Sequence, residues 1–137
     1  NICSDNYKDA LDIGFVLGRM GAQLLLSPSS WTVDYSMIET GSPYGEKWIK
    51  PYQILAEAFD LIVVNATSVG TIVGGPFEGK KMVGCSMAVS RNGVIKQGQY
   101  NEFAGELTVV SVKLSEPPRK GSAIGAHLGR SGLLAGW

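Results

Sequence analysis

Asn1-Ile2-Cys3-Ser4-Asp5-Asn6-Tyr7 opens the chain, and Met20-Gly21-Ala22-Gln23-Leu24-Leu25-Leu26-Ser27-Pro28-Ser29-Ser30-Trp31 follows after one helix-length of sequence; how these two stretches are read decides the fold. In the first, a cysteine follows an apolar residue and precedes a polar tetrad. A thiol at the end of a strand and just ahead of a helix can use the partial positive charge of the helix start to favour its thiolate. Such a cysteine is a nucleophile when a base stands beside it, and otherwise a small buried hydrophobe. The only histidine, His127, lies far away in a Gly-rich tail. A base for Cys3 therefore has to be a carboxylate or an amine, and it need not lie within these residues.

Outward from that point the pattern alternates between helix and strand. Residues 9–20 carry Leu11, Phe15, Val16 and Leu17 at helical spacing, with Gly21 as a stop. Gly14 and Gly18 weaken this helix by about 1 kcal/mol each relative to Ala, which suits a close helix contact such as a dimer seam. The continuous apolar run 24–27 predicts a strand buried on both faces. Residues 31–45 are polar and turn-rich, long enough for a functional loop. The stripe Trp48, Ile49, Tyr52, Leu55, Ala56, Phe59 predicts a helix over 46–59, kinked or started by Pro51. A second buried strand is expected at 61–66. Strands at 82–90 and 94–99 flank Arg91-Asn92-Gly93, a strong hairpin signal, and a last strand is expected at 106–114. Pro117-Pro118 ends regular structure.

In this order the segments resemble the carbon–nitrogen hydrolase (nitrilase/amidase) superfamily. Ile2-Cys3-Ser4-Asp5-Asn6 resembles its nucleophile motif, and Gly21-Ala22, Leu24-Leu25, Pro28-Ser29 and Trp31 resemble the strand and loop that follow it. The likeness continues through 63–70 and 84–89 to Gly93-Val94-Ile95 and 107–112, and so covers roughly residues 1–114. It implies an α/β fold: half of a four-layer α-β-β-α sandwich, truncated at its N-terminal side and beginning at the catalytic cysteine. Residues 115–137 are then a Gly/Pro-rich C-terminal tail.

What the resemblance implies for chemistry is hydrolysis of a non-peptide carbon–nitrogen bond, amide or nitrile, in a small molecule. Cys3 is the nucleophile and the backbone N–H of Ser4 an oxyanion donor. The family's Glu and Lys lie upstream of the cysteine, so residues 1–137 alone are expected to be inactive. Asp5, Asn6 and Trp31 are candidate substrate-binding residues. Asp5 and Asn6 are equally apt to cap the next element, and Trp31 to plug the core. Relatives pair through helices, which implies a homodimer or larger homo-oligomer; the expected seam is the helices at 9–20 and 46–59. A rival from another class is a non-catalytic binding or assembly subunit that keeps the fold and has lost the chemistry.

Composition narrows the rest. The 137 residues are 45% hydrophobic and 18% charged with zero net charge, which fits a globular domain and offers no electrostatic footprint for nucleic acid or an anionic membrane. The apolar runs are strand-sized, no Cys/His cluster has metal-ligand spacing, and neither metal nor cofactor is expected. Two distant cysteines make no disulfide framework, and a cytoplasmic setting is the simpler expectation, with Cys85 in mid-strand as a core residue. Two motifs mislead. Gly74-Gly75-Pro76-Phe77-Glu78-Gly79-Lys80 has the spacing of a phosphate loop, but Lys81 replaces the metal-binding hydroxyl and a strand, not a helix, should follow. Gly121, Gly125 and Gly129 have helix-packing spacing in a tail too charged to use it.

Overall fold

The computed structural model of the protein describes residues 1–34 and 44–115, with the side chains of 44–46 excepted. The tail beyond Ser115, with His127 and Gly121, Gly125 and Gly129, and the middle of the 31–45 loop lie outside the described residues. A 3₁₀ turn at Cys3–Asn6 leads to helix α1 (Asp12–Arg19), strand β1 (Leu24–Ser29) and the short β2 (Thr32–Val33). Helix α2 (Tyr44–Phe59) follows, then β3 (Ile62–Thr67), β4 (Val69–Thr71), β5 (Lys81–Val83), β6 (Met87–Ser90) and β7 (Gly93–Gln97). Four strands form one mixed sheet in the order β1-β3-β6-β7, and three form a small sheet in the order β2-β5-β4.

β1 and β3 are parallel, which requires a crossover, and α2 supplies it. Leu25 lies beside Val63 and Ser27 beside Asn65, while Val63 faces Val89 and Asn65 faces Met87 across the β3–β6 pair. The helices cover the face that carries these residues. Trp48, Tyr52, Leu55 and Ala56 of α2 join Leu25, Val63, Met87 and Val89 in one buried cluster, with Trp31, Val33 and Val83. Pro51 sits inside α2, which runs through it as one helix. A buried proline whose missing donor is the cost, and whose ring is part of the packing, is tolerated there.

Helix α1 begins three residues later than its periodicity suggests, because Tyr7-Lys8-Asp9 forms a turn closed by the Ala10 N–H donating to the Tyr7 carbonyl at 2.8 Å. It ends at Gly21, whose φ of +96° lets the last carbonyls be capped. The Gly21 N–H reaches the Gly18 carbonyl, and the Ala22 N–H reaches that of Leu17, at 3.0 and 3.1 Å. The two glycines inside α1 serve an internal contact. A Cβ on Gly14 would stand 2.6 Å from the Leu55 side chain, and one on Gly18 would stand 2.4 Å from the Phe59 ring. The close approach is thus to α2 of the same chain, and what α1 leaves outward is Ile13, Val16 and Met20.

Three sequence expectations change. β1 buries alternate residues, not both faces: Leu25, Ser27 and Ser29 are covered, while Leu26 is 63% exposed. The strand expected over 82–90 breaks at Gly84 and Cys85, both left-handed with φ of +70° and +71°, so the chain leaves the small sheet after β5 and enters the large one at β6. Residues 106–114 form no strand. They run alongside the sheet without pairing, and the segment is fastened at its end, where the Ser115 hydroxyl donates to the Asp60 carbonyl at 2.5 Å and the Gln23 amide donates to the Ser115 carbonyl. The phosphate-loop look-alike is the exposed turn between β4 and β5, with strand following it.

Candidate active site

Ile2 is extended, and Cys3 turns the chain with a φ of +40°, one of three non-glycine residues at positive φ among those described. For a side-chain-bearing residue that region costs on the order of 1–3 kcal/mol and persists only where its surroundings over-determine it. Local bonds do so here. The Asp5 N–H donates to the Ile2 carbonyl at 2.9 Å, and the Ile2 N–H donates back to the Asp5 carboxylate at 2.9 Å. Asp5 is therefore engaged as a cap of its own turn. The element after Cys3 is this single turn, with α1 starting only at Asp12, so the thiol does not stand at the head of a long helix as the sequence suggested.

The half-buried Cys3 lies at the wall of an open cleft of about 420 Å³ lined by Ile2, the 28–30 loop and the end of β3, Ala66 to Ser68. Pro28, Ser29 and Ser30 arrive on the end of β1, and Ala66 and Thr67 on the end of β3, beside them in parallel register. The cleft thus opens at the carboxyl ends of two adjacent parallel strands, where α/β sheets commonly place ligands. Its described walls supply one thiol and several hydroxyls (Ser29, Ser30, Thr67, Ser68) but no carboxylate, imidazole or amine. No group of three or more potential metal ligands is found among the described residues. The Ser4 N–H donates to no acceptor among them.

Behind the cleft lies a polar cluster within the core. Asn6 is fully buried, its Nδ2 donating to the Ser27 hydroxyl at 2.8 Å and lying 3.5 Å from the Cys3 carbonyl oxygen. Its Oδ1 accepts from the Asn1 side-chain amide at 2.6 Å. The Ser27 and Tyr52 hydroxyls are 3.2 Å apart, and Asn65 Nδ2 donates to the Ser27 carbonyl and the Ser29 hydroxyl at 2.7 and 2.6 Å. Ser27 and Asn65 were not singled out from sequence. The visible signal was weak: polar residues at alternate positions of strands otherwise rich in Leu and Val.

Trp31 stands away from the cleft walls. It is 2% exposed and stacks on Trp48, with ring centres 3.9 Å apart and planes within 6°. Of the sequence-nominated residues, the structure brings Cys3, Ser4, Asp5 and Asn6 together in one turn and puts Trp31 in the core.

Burial pushes the Tyr52 phenol up to about 12, outweighing the hydrogen bonds from Ser27, Ser29 and Asn65 that favour its ionised form. Unfolded, the phenol titrates near 10, so the folded state keeps the proton longer, and stability present below pH 10 is lost as pH rises towards 12. Tyr52→Phe is expected to cost about 0.5–1.5 kcal/mol at neutral pH from the lost bond to Ser27. The gap to the unsubstituted protein should then shrink above pH 10, because Phe has no proton to lose. Denaturant titrations at neutral and alkaline pH measure both effects; a gap that widens with alkali would contradict this account.

No protein-family profile matches the chain, and no curated protein sequence matches it. A match in fold is found. The crystal structure of a carbon-nitrogen hydrolase from Helicobacter pylori superposes with a TM-score of 0.59 at 19% sequence identity, over 74% of this chain and 36% of that one. At that identity the likeness is one of fold. The chain spans little more than a third of the length of that hydrolase.

Proposed function

We propose that this chain is the nucleophile-bearing part of a carbon–nitrogen hydrolase acting on a small amide or nitrile. The single observation that carries the reading is Cys3 in a left-handed turn at the wall of a cleft formed where parallel strands β1 and β3 end. The shared fold with a carbon-nitrogen hydrolase supports it.

In the reaction the Cys3 thiolate attacks the carbonyl or nitrile carbon. With an amide, the tetrahedral intermediate collapses by breaking the C–N bond, the amine leaves with a proton, and a thioester to Cys3 remains. Water then adds to the thioester carbon, and the C–S bond breaks to return the thiol and release the acid. With a nitrile the first adduct is a thioimidate, and ammonia leaves after water has added. The Ser4 N–H, which has no acceptor among the described residues, would bind the oxyanion in this reading. The cleft's described walls hold no base, and in this reading the proton-transferring carboxylate and the cationic amine are supplied by residues other than those that line it. The exposed face around Leu26 is where a second sheet would pack. A homo-oligomer would use the outward stripe Ile13, Val16 and Met20 of α1.

The test uses the complete protein that carries this chain. A panel of short aliphatic and aromatic amides and nitriles is assayed for ammonia release, and the quenched enzyme is digested and weighed. The expected result is release of ammonia with an acyl mass on the Cys3 peptide. No turnover, and no adduct on Cys3 with any substrate, would favour the binding or assembly role instead.

A further inference from the structure

We propose that Asn6 is a positioning residue that pins the Cys3–Ser4 peptide group and so presents the Ser4 N–H as a preformed oxyanion donor. The inference rests on Cys3 being the nucleophile. The Cys3 carbonyl and the Ser4 N–H belong to one planar trans peptide, so they point in opposite directions. Whatever holds the carbonyl inward turns the N–H outward. On the inner side is Asn6, three residues on and fully buried, with Nδ2 lying 3.5 Å from that carbonyl oxygen. The contact is long and individually weak. Its force comes from the anchoring of Asn6 itself.

The same Nδ2 donates at 2.8 Å to Ser27, which is 21 residues away on β1, and Oδ1 is held by Asn1 at 2.6 Å. Ser27 is itself fixed from two sides. Its hydroxyl meets Tyr52 of α2, and its carbonyl accepts from Asn65 of β3. The carboxamide therefore cannot rotate without stranding buried polar groups, at about 1–3 kcal/mol apiece. The Cys3–Ser4 peptide is tied through it to the sheet and to α2. A peptide flip, the change that would swing the Ser4 N–H away from the cleft, has to break that tie. An apolar residue at position 6 could fill much of the same space, but it would take the donor from the buried Ser27 hydroxyl and leave the peptide free to turn.

The test separates oxyanion binding from thiol reactivity. Alkylation by iodoacetamide is a displacement at a saturated carbon with no oxyanion, whereas amide hydrolysis, the reaction assayed, passes through one at each stage. In the complete protein, Asn6→Ala and Asn6→Asp are compared with the unsubstituted enzyme for kcat, KM and the rate of Cys3 carbamidomethylation followed by mass spectrometry. Asp keeps the acceptor for Asn1 and nearly the shape of Asn, but no longer donates to Ser27 or to the Cys3 carbonyl, so it reports even if Asn6→Ala folds poorly. Protection of the buried Cys85 from the reagent is the check on folding.

Both variants are expected to lose about a hundredfold in kcat, the lower end of what one oxyanion donor contributes, with KM within about twofold and Cys3 alkylation nearly unchanged. Turnover within twofold of the unsubstituted enzyme in a folded Asn6→Asp would overturn the inference. So would a loss of Cys3 alkylation as large as the loss of turnover, because that is a disordered turn and not a misdirected donor. Cys3→Ala run alongside keeps the two claims apart: its inactivity with an active Asn6→Asp sinks only the positioning role, whereas its activity sinks the nucleophile.

Discussion

Cys3→Ala and Cys3→Ser should both lose turnover by at least on the order of 10⁴-fold, the scale on which removing a nucleophile acts in triad hydrolases. Alanine removes the attacking atom. Serine keeps an oxygen in nearly the same place, but its proton is held far more tightly than a thiol's, and a base matched to a thiol cannot take it. Cys85→Ala should leave the chemical step nearly unchanged and cost about 1 kcal/mol of stability. Cys85 is 5% exposed, and its sulfur accepts from the Gln97 amide at 2.9 Å. Its place is the left-handed break between β5 and β6, so the substitution removes packing and one weak bond and leaves the break itself. Ammonia release and thermal denaturation of the complete protein measure the two effects. Turnover surviving in Cys3→Ala, or an acyl mass on the Cys85 peptide, would show that the chemistry sits elsewhere.

Trp31→Ala should be the most destabilising single change among the residues nominated from sequence, by about 3–5 kcal/mol. Its ring is stacked on Trp48 and lies 5.9 Å from that of Tyr52, and Trp48 in turn is 5.2 Å from Tyr7. Removing it opens a cavity between the β1–β2 connection and α2, the two elements that hold the back of the cleft. Trp31→Phe keeps much of the area and should cost markedly less. Because the ring does not line the cleft, KM in the protein that remains folded should stay near its starting value. A Trp31→Ala protein with an unchanged melting temperature and a raised KM would instead make the residue a substrate contact.

The elements set by short-range patterns were legible in the residues alone. The apolar stripe from Trp48 to Phe59 has helical spacing, and a helix forms across it. Gly21 is free to take φ of +96°, and α1 is capped there. Asn92-Gly93 lets the chain reverse between β6 and β7, with Gly93 at +105°. Each depends on a few neighbouring side chains and on backbone freedom that a residue carries wherever it stands.

What pairs with what was decided by the tertiary structure. Leu107 and Val109 alternate as strand residues do, yet among the described residues no ladder partner lies beside them and Leu107 is left 90% exposed, since strand preference is realised only where another strand offers its hydrogen bonds. The 82–90 stretch reads as one strand because its side chains alternate, but Val83 and Met87, on either side of Gly84 and Cys85, are recruited by two different sheets, and that is a property of their partners Val69 and Asn65. Gly14 and Gly18 carry no record of which surface they will approach; Leu55 and Phe59, some forty residues on, supply it. At the candidate site the division is the same. The cysteine and its polar tetrad announce themselves locally. That Asn6 reaches Ser27, and through it Tyr52 and Asn65, follows only from folding β1, α2 and β3 together, because a buried amide must find its partners wherever the chain brings them.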